Sequence, residues 1–205
     1  MKKFAFVDVL NTGNSAEKML GFSVDWNKLA DYLLNTKSCS KVFFYTGIEN
    51  GDTETAEVFD VLSKIDGCIV RSKPIFAYKN TDKKIAQICP SCGTETVHTI
   101  DMGYTKKSNC DVELGVDAIE LAGPETQFFL FTGDGDFEYL IRKALDKGVE
   151  KVYIYSYAVR IVKAGVTISR FSTKLRALIA EQSRTVFYTS LKDIKEKIKR
   201  DLPKV

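Results

Sequence analysis

Residues 128–137 read FFLFTGDGDF, and this stretch decides the fold. An apolar run of strand length breaks into a Gly-Asp-Gly-Asp turn, after which a helical pattern runs from Phe137 to Leu145. Two carboxylates, Asp134 and Asp136, therefore stand where a buried strand ends. A helix N-cap explains one of them but not both. Because ligands bind at this edge of open α/β sheets, the stretch predicts a site for a hard cation or a phosphate.

The amino terminus carries a third carboxylate in the same structural position. Phe4–Val7 is a short apolar strand that ends in Asp8, and Asn11 lies in the loop predicted to follow it. Parallel pairing would bring this strand end beside the end of the 128–131 strand. Asp8 could then share one metal ion with Asp134 and Asp136.

Residues 107–122 predict a helix that begins at Ser108 or Asn109. At helical spacing Asp111 falls in the middle of the apolar arc, so its carboxylate would face the interior and need a partner. A metal ion shared with the two strand ends would be such a partner, and a simple capping role is the alternative. The other acidic residues of this helix are predicted to form a solvated side: Glu113, Asp117 and Glu120.

These segments resemble the NYN domain family, which is similar to the PIN-domain nucleases. The resemblance rests on three motifs: FAFVDVLN at residues 4–11, KSNCDVELGVDAIELA at residues 107–122, and FLFTGDGDFEYLIRKALDKGVEKVYIYS at residues 129–156. It implies a metal-dependent ribonuclease that uses Mg²⁺ or Mn²⁺ and cleaves RNA to 5′-phosphate products. A non-catalytic NYN-like module that binds RNA or a protein partner is the alternative.

The resemblance also implies roles for individual residues. The residues that match the family's acidic positions are expected to be catalytic: Asp8, Asp111, Asp134 and Asp136. The first three would be the metal ligands, and Asn11 would be the polar partner that contacts substrate. His98 lies in a predicted insertion and is the only histidine, so an imidazole acid–base pair cannot be built and metal must do that work.

RNA contacts are predicted from basic and aromatic side chains near the motifs. The predicted phosphate ligands are Lys106, Lys107, Lys174 and Arg176, with Arg71, Lys73 and Lys79 as further candidates. Ordinary surface charge is the alternative for each of them. Tyr45, Tyr78 and Tyr104 could stack on unpaired bases, and packing in the core or its rim is the alternative.

Alternating strand and helix patterns predict an α/β fold, a single three-layer domain with a mostly parallel central sheet of the PIN-like or Rossmann-like kind. The nuclease-like domain is expected to span residues 1–180, with a small cysteine-containing insertion at residues 76–107. Residues 181–205 are expected to form a C-terminal extension with an amphipathic helix. A β-hairpin around Gly165 is predicted at the sheet edge.

The insertion contains Cys89-Pro90-Ser91-Cys92-Gly93, a Cys-x-x-Cys knuckle typical of half a tetrahedral zinc site. His98 and Cys110 would complete a structural Cys₃His set. Several alternatives remain open: Cys110 as an apolar helix-entry residue, a homodimer that shares zinc ligands, and a redox-sensitive dithiol.

Composition sets the remaining expectations. With 205 residues, 44% of them hydrophobic, the chain can bury one substantial core. A net charge of +3 means that RNA affinity must come from local basic clusters. Every apolar run is shorter than a membrane span, so no membrane association and a cytoplasmic location are expected. Five cysteines with one close pair favour reduced thiols or a metal over a disulfide framework.

Overall fold

The computed structural model describes residues 1–163 and 165–201, apart from the side chains of Lys106, Lys107, Lys163 and Val166. The strands are β1 (Lys2–Asp8), β2 (Lys41–Ile48), β3 (Cys68–Pro74), β4 (Phe76–Lys79), β5 (Lys83–Ile88), β6 (Glu95–Ile100), β7 (Tyr104–Lys107), β8 (Thr126–Phe131), β9 (Lys151–Ser156), β10 (Ile161–Lys163), β11 (Val166–Ile168) and β12 (Val186–Ser190). Six of them form a central sheet in the order β12-β9-β8-β1-β2-β3. Every neighbouring pair in this sheet is parallel.

Helices cover both faces of the sheet. They are α1 (Val9–Leu20), α2 (Trp26–Asp31), α3 (Thr53–Ser63), α4 (Asp111–Leu121), α5 (Phe137–Asp146), α6 (Thr173–Glu181) and α7 (Lys195–Ile198), with a π-helical turn at Tyr32–Thr36 and a 3₁₀ turn at Leu191–Ile194. Apolar residues of α1, α2, α3 and α7 form one core, and those of α4, α5 and α6 form the other. The predicted α/β class, with three layers and a parallel sheet, is confirmed.

The central strands β1 and β8 are mostly apolar because both of their faces are covered. In β1, Ala5 and Val7 belong to the first core while Phe4 and Phe6 belong to the second. In β8 every residue is buried. The sheet is therefore a rigid base that holds whatever stands at its strand ends.

Two helix starts differ from the predicted ones. Asn11 lies inside α1, not in a loop, because the Asp8 carboxylate accepts a hydrogen bond from the Asn11 backbone N–H at 3.0 Å and caps the helix. The α4 helix begins at Asp111, later than predicted. Its start is delayed because the Asn109 side chain accepts from the Asp111 N–H at 2.6 Å and forms a turn before the helix.

The C-terminal part of the chain also differs from expectation. Strand β12 belongs to the central sheet, so a domain boundary at residue 180 would remove one of its strands. The tail forms only the 3₁₀ turn and the four-residue α7, because the chain turns extended at Lys199; the last residues of the predicted helix, from Leu202 onward, lie outside the described residues. The β10–β11 hairpin forms around Gly165 as predicted, but it stands apart from the central sheet.

Residues 76–107 form an arm outside the central sheet. It consists of two antiparallel pairs, β4 with β7 and β5 with β6. All of the residues in β4, β5 and β6 are exposed. The span of this arm matches the predicted insertion. Nowhere in the described chain is a helix both long and apolar enough to span a membrane.

Candidate active site

A pocket of about 200 Å³ opens at the carboxyl ends of β1, β2 and β8. Asp8 comes from the end of β1, Asp134 from the turn after β8, and Asp111 from the first residue of α4. All three carboxylates line this one pocket. The structure thus brings together the residues that the sequence suggested as metal ligands, although they are far apart along the chain.

Hydrogen bonds join the end of β1 to the turn after β8. Asp8 accepts from the Thr132 hydroxyl at 3.2 Å, and the same hydroxyl accepts from the Asp134 N–H at 3.2 Å. The Asn11 side-chain oxygen accepts from the Gly133 N–H at 2.8 Å. Asn11, predicted to contact substrate, therefore uses its oxygen to position the turn. Thr132 was not predicted as a site residue, because its only signal in the sequence is its place between the apolar run and the Gly-Asp-Gly-Asp turn.

Asp111 and Asp136 occupy different depths of the site. The Asn109 amide donates to the Asp111 carboxylate at 2.7 Å, and this half-buried carboxylate faces the pocket. Asp136 instead stands at the rim, where 81% of its side chain is exposed and Lys174 lies 3.6 Å away. Its backbone N–H donates to Asp134 at 3.0 Å. Asp136 lines the neighbouring cavity and not the carboxylate pocket, and its catalytic role stays a prediction.

The pocket concentrates negative charge. Burial raises the pKa of Asp8 to about 6, and the nearby charges of Asp111 and Asp134 add to the shift. Burial also raises the pKa of Asp111, with Asp134 and Asp136 contributing. A buried carboxylate cluster of this kind is disfavoured unless a cation or protons balance it. Oxygen donors that need positive charge fit a hard divalent ion such as Mg²⁺ or Mn²⁺.

The side chains are not arranged as a closed coordination shell. Among the described residues, no group of three or more His, Cys, Asp or Glu side chains is placed so that it could hold an ion. Asp8, Asp111 and Asp134 would have to reorient to share one. Metal binding at this pocket therefore fits the donor chemistry and stays a prediction.

The raised pKa of Asp8 predicts a pH-dependent effect on stability. In the folded protein the carboxylate titrates near pH 6, above its ordinary value of 3.8, so its ionised form destabilises the fold as pH rises through this window. Asp8→Asn should therefore raise the free energy of unfolding by up to about 3 kcal/mol at neutral pH in EDTA, and by much less near pH 4. Urea unfolding at both pH values measures this. Equal effects at the two pH values would contradict a charge origin.

Two basic residues face the loop that carries Asp134. Arg170 lines the carboxylate pocket and also a neighbouring cavity of about 330 Å³, which Lys174 and Asp136 line as well. Lys174, a predicted phosphate ligand, is thus at the site. Arg170 was missed, because its stretch of sequence indicated only a β-prone segment.

The structure does not place the other three predicted phosphate ligands at the pocket. The Arg176 guanidinium donates to the Ala158 carbonyl and lies 5.2 Å from the centre of the Phe171 ring, so these contacts hold it away from the pocket. Lys106 and Lys107 lie on β7 of the arm, and their side chains are outside the described part of the structure. The phosphate-binding roles of these two lysines stay predictions.

The acidic side of α4 is not the solvated surface predicted for it. Asp117 accepts from the Tyr45 hydroxyl at 3.0 Å and from Arg71 at 3.1 Å. Glu113 pairs with Lys73 at 2.6 Å. Burial, together with the Asp117 charge, raises the pKa of Tyr45. That tyrosine is therefore a buried anchor for α4 and not a platform for bases, while Glu120 is exposed as predicted.

The predicted Cys₃His zinc set is wrong as a unit. Cys110 is buried, with its sulfur 3.5 Å from the Thr46 carbonyl oxygen, so it is the apolar helix-entry residue of the alternative interpretation. Cys89 and Cys92 lie in the turn between β5 and β6, and His98 lies on β6. Hydrogen bonding with Thr94 lowers the pKa of Cys92 to about 7, and Cys89 adds to this. Zinc on Cys89 and Cys92 stays a prediction.

Comparison with known proteins agrees with this architecture. The crystal structure of a protein of unknown function from Vibrio parahaemolyticus is similar at a TM-score of 0.60 and 19% identity, covering 97% of this chain and 96% of that one. That similarity shows a shared fold. Escherichia coli phosphofructokinase-2 is also matched, at a TM-score of 0.35 and 8% identity over 77% of this chain and 55% of that one, which is too distant to carry an argument.

No curated protein matches the chain. The profile of the NYN domain matches residues 5–167, which include the three acidic motifs and most of the central sheet. The chain belongs to the NYN domain family.

Proposed function

We propose that this protein is a metal-dependent ribonuclease that hydrolyses phosphodiester bonds in RNA. The observation that carries the proposal is the convergence of Asp8, Asp111 and Asp134 on one pocket at the carboxyl ends of parallel strands. Membership of a family with a nuclease-type fold supports it. The raised pKa of Asp8 supports it further, because perturbed carboxylates cluster at functional sites.

The contacts in the site suggest a role for each residue. Asp8, Asp111 and Asp134 would hold Mg²⁺ or Mn²⁺, which when bound supplies positive charge for the phosphodiester and acidifies the attacking water. Thr132 and Asn11 keep the two strand ends in register. Arg170, in the pocket lining, is positioned to balance charge on the phosphate.

Proton transfer falls to the groups of the pocket itself. His98 lies on β6 of the arm, opposite Ile85, and does not line the pocket. Histidine acid–base chemistry at the scissile phosphate is therefore unsupported. Lys174 and Asp136, at the rim, would contact the RNA strand as it leaves the pocket.

The second candidate is a non-catalytic module that binds RNA or a protein partner. One observation favours it: the three carboxylates are not positioned as ligands of a single ion. In that case the pocket would recognise a partner without cleaving it, and removal of divalent ions would have no catalytic consequence.

Metal dependence is the test that separates these candidates. The purified protein should cleave a 5′-labelled RNA in Mg²⁺ or Mn²⁺, lose that activity in EDTA, and regain it when the ion is restored in excess. Gel analysis of the labelled products gives the cleavage rate and the chemistry of the new ends. Products that carry 5′-phosphates are expected. RNA that is bound but stays intact in both ions would favour the non-catalytic module.

A further inference from the structure

A second groove opens beside the carboxylate pocket. It has a volume of about 450 Å³, within the range of about 300–1,000 Å³ typical of ligand sites. Ser108 and Asn109 line both the pocket and the groove, so the two lie side by side. The groove's other walls come from the end of β3 and from the arm: Lys73, Pro74, Phe76 and Tyr78.

The arm presents two aromatic rings to this groove. Phe76 and Tyr78 are two residues apart on β4, so they share one face of the β4–β7 pair. Their exposed fractions are 58% and 57%. Tyr104 and Lys79 occupy the opposite face, where the Lys79 amine lies 5.5 Å from the centre of the Tyr104 ring. The ribbon therefore has one aromatic face that lines the groove and a second aromatic residue on its opposite face.

The spacing of the two rings suits nucleobases. Residues two apart on a strand are separated by about 6.6 Å. Stacked nucleotides repeat at about 3.4 Å, so this spacing along the strand leaves room for one base between the two side chains. Large exposed apolar side chains grouped in a groove indicate a binding surface.

The position of the groove beside the pocket favours RNA over a protein as the occupant. An RNA strand whose phosphodiester lies between Asp8 and Asp134 must continue past the pocket. The groove lies next to the pocket, because Ser108 and Asn109 line both of them. Only unpaired bases offer free faces for stacking. We propose that this groove holds a base of single-stranded RNA against Phe76 and Tyr78, and that it makes the enzyme select single strands. This inference rests on the proposed function.

The test measures binding without cleavage. In the full chain carrying Asp134→Asn, the affinity for a labelled single-stranded uridine oligonucleotide is compared with that for a duplex. Phe76→Ala and Tyr78→Ala should each weaken single-strand binding by about 5- to 100-fold, the range expected for one lost stacking contact. Tyr78→Trp should keep the affinity because it keeps a ring. Duplex binding should change little.

Tyr104→Ala is the matched control. It removes an aromatic ring of similar exposure, 67%, from the other face of the same ribbon, so it should leave single-strand affinity unchanged. An equal loss in Tyr104→Ala would show that the arm had merely been disturbed and would overturn the proposal. Unchanged affinity for single-stranded RNA in a Phe76→Ala, Tyr78→Ala double variant would overturn it as well. That result would favour a protein partner as the occupant of the groove. If the parent chain binds no RNA at all, the proposed function itself falls.

Discussion

Asp134→Asn is expected to reduce RNA cleavage by about 100-fold or more while leaving the fold intact. Asparagine keeps an oxygen that can accept from the Asp136 N–H, so the turn after β8 should hold its shape. What it removes is the negative charge that would attract a divalent ion at the pocket. Initial rates on a labelled single-stranded RNA in saturating Mn²⁺ measure the loss, and thermal unfolding verifies the fold.

The control must carry the same substitution away from the pocket. Asp60→Asn on α3 suits this purpose, because Asp60 is exposed and its partner Lys64 lies on the same surface. It should retain activity. Asp117→Asn would be a poor control, since Asp117 holds Arg71 and Tyr45 in place. If purified Asp134→Asn protein cleaved RNA at the wild-type rate, the carboxylate pocket would not be the catalytic site.

Local patterns were sufficient to predict the carboxylates of the site. A strand that is apolar along its length must be covered on both faces, and a Gly-Asp turn directly after it must lie at a sheet edge. Asp8 and Asp134 follow such strands, so their convergence could be expected once parallel pairing was assumed. Asp111 was identified because a carboxylate on the inward face of a helix needs a partner.

Contacts between distant segments could not be predicted in this way. Thr132 matters because its hydroxyl bridges Asp8 and the Asp134 N–H, and Arg170 matters because a later loop folds back over the pocket. Neither fact leaves a periodic signal in the sequence. The pairing of Asp117 with Arg71 is similar: helical spacing places Asp117 on a polar side but does not reveal that β3 supplies a cation there. Strand β12 was missed because residues 181–205, which contain it, were assigned to an extension.

The structural reason for the two glycines of the GDGD turn also could not be predicted from the sequence. Glycines in such a turn ordinarily allow a tight bend and leave room for a ligand. Their φ angles, however, are not in the left-handed region, which is reached instead at positions such as Gly148 and Gly165. A side chain at Gly133 would collide with the Arg170 carbonyl, and one at Gly135 with the Ser172 hydroxyl. The glycines are needed because the loop before α6 approaches the turn so closely.

Gly133→Ala is therefore expected to cause the largest loss of stability among single methyl additions near the site. Its Cβ would overlap the Arg170 carbonyl and lie 2.8 Å from the Ser156 hydroxyl, and backbone cannot yield as a flexible side chain can. Overpacking of this kind costs about 2–3 kcal/mol, which corresponds to a fall in Tm of roughly 5–10 °C for a chain of this size. Differential scanning calorimetry of the purified variant measures this fall.

Activity should fall together with stability, even well below the melting temperature. Gly133 donates its N–H to Asn11 at 2.8 Å and accepts at its carbonyl from the Ser172 N–H at 2.9 Å, so displacing it shifts the adjoining Asp134. Gly115→Ala is the matched control, because a Cβ there meets nothing within 4 Å and alanine favours the interior of α4 by about 0.5–1 kcal/mol. That variant should be slightly more stable and fully active. A Gly133→Ala protein with wild-type Tm would mean that the loop before α6 does not press on the turn, and the positioning of Asp134 would then depend on Thr132 and Asn11 alone.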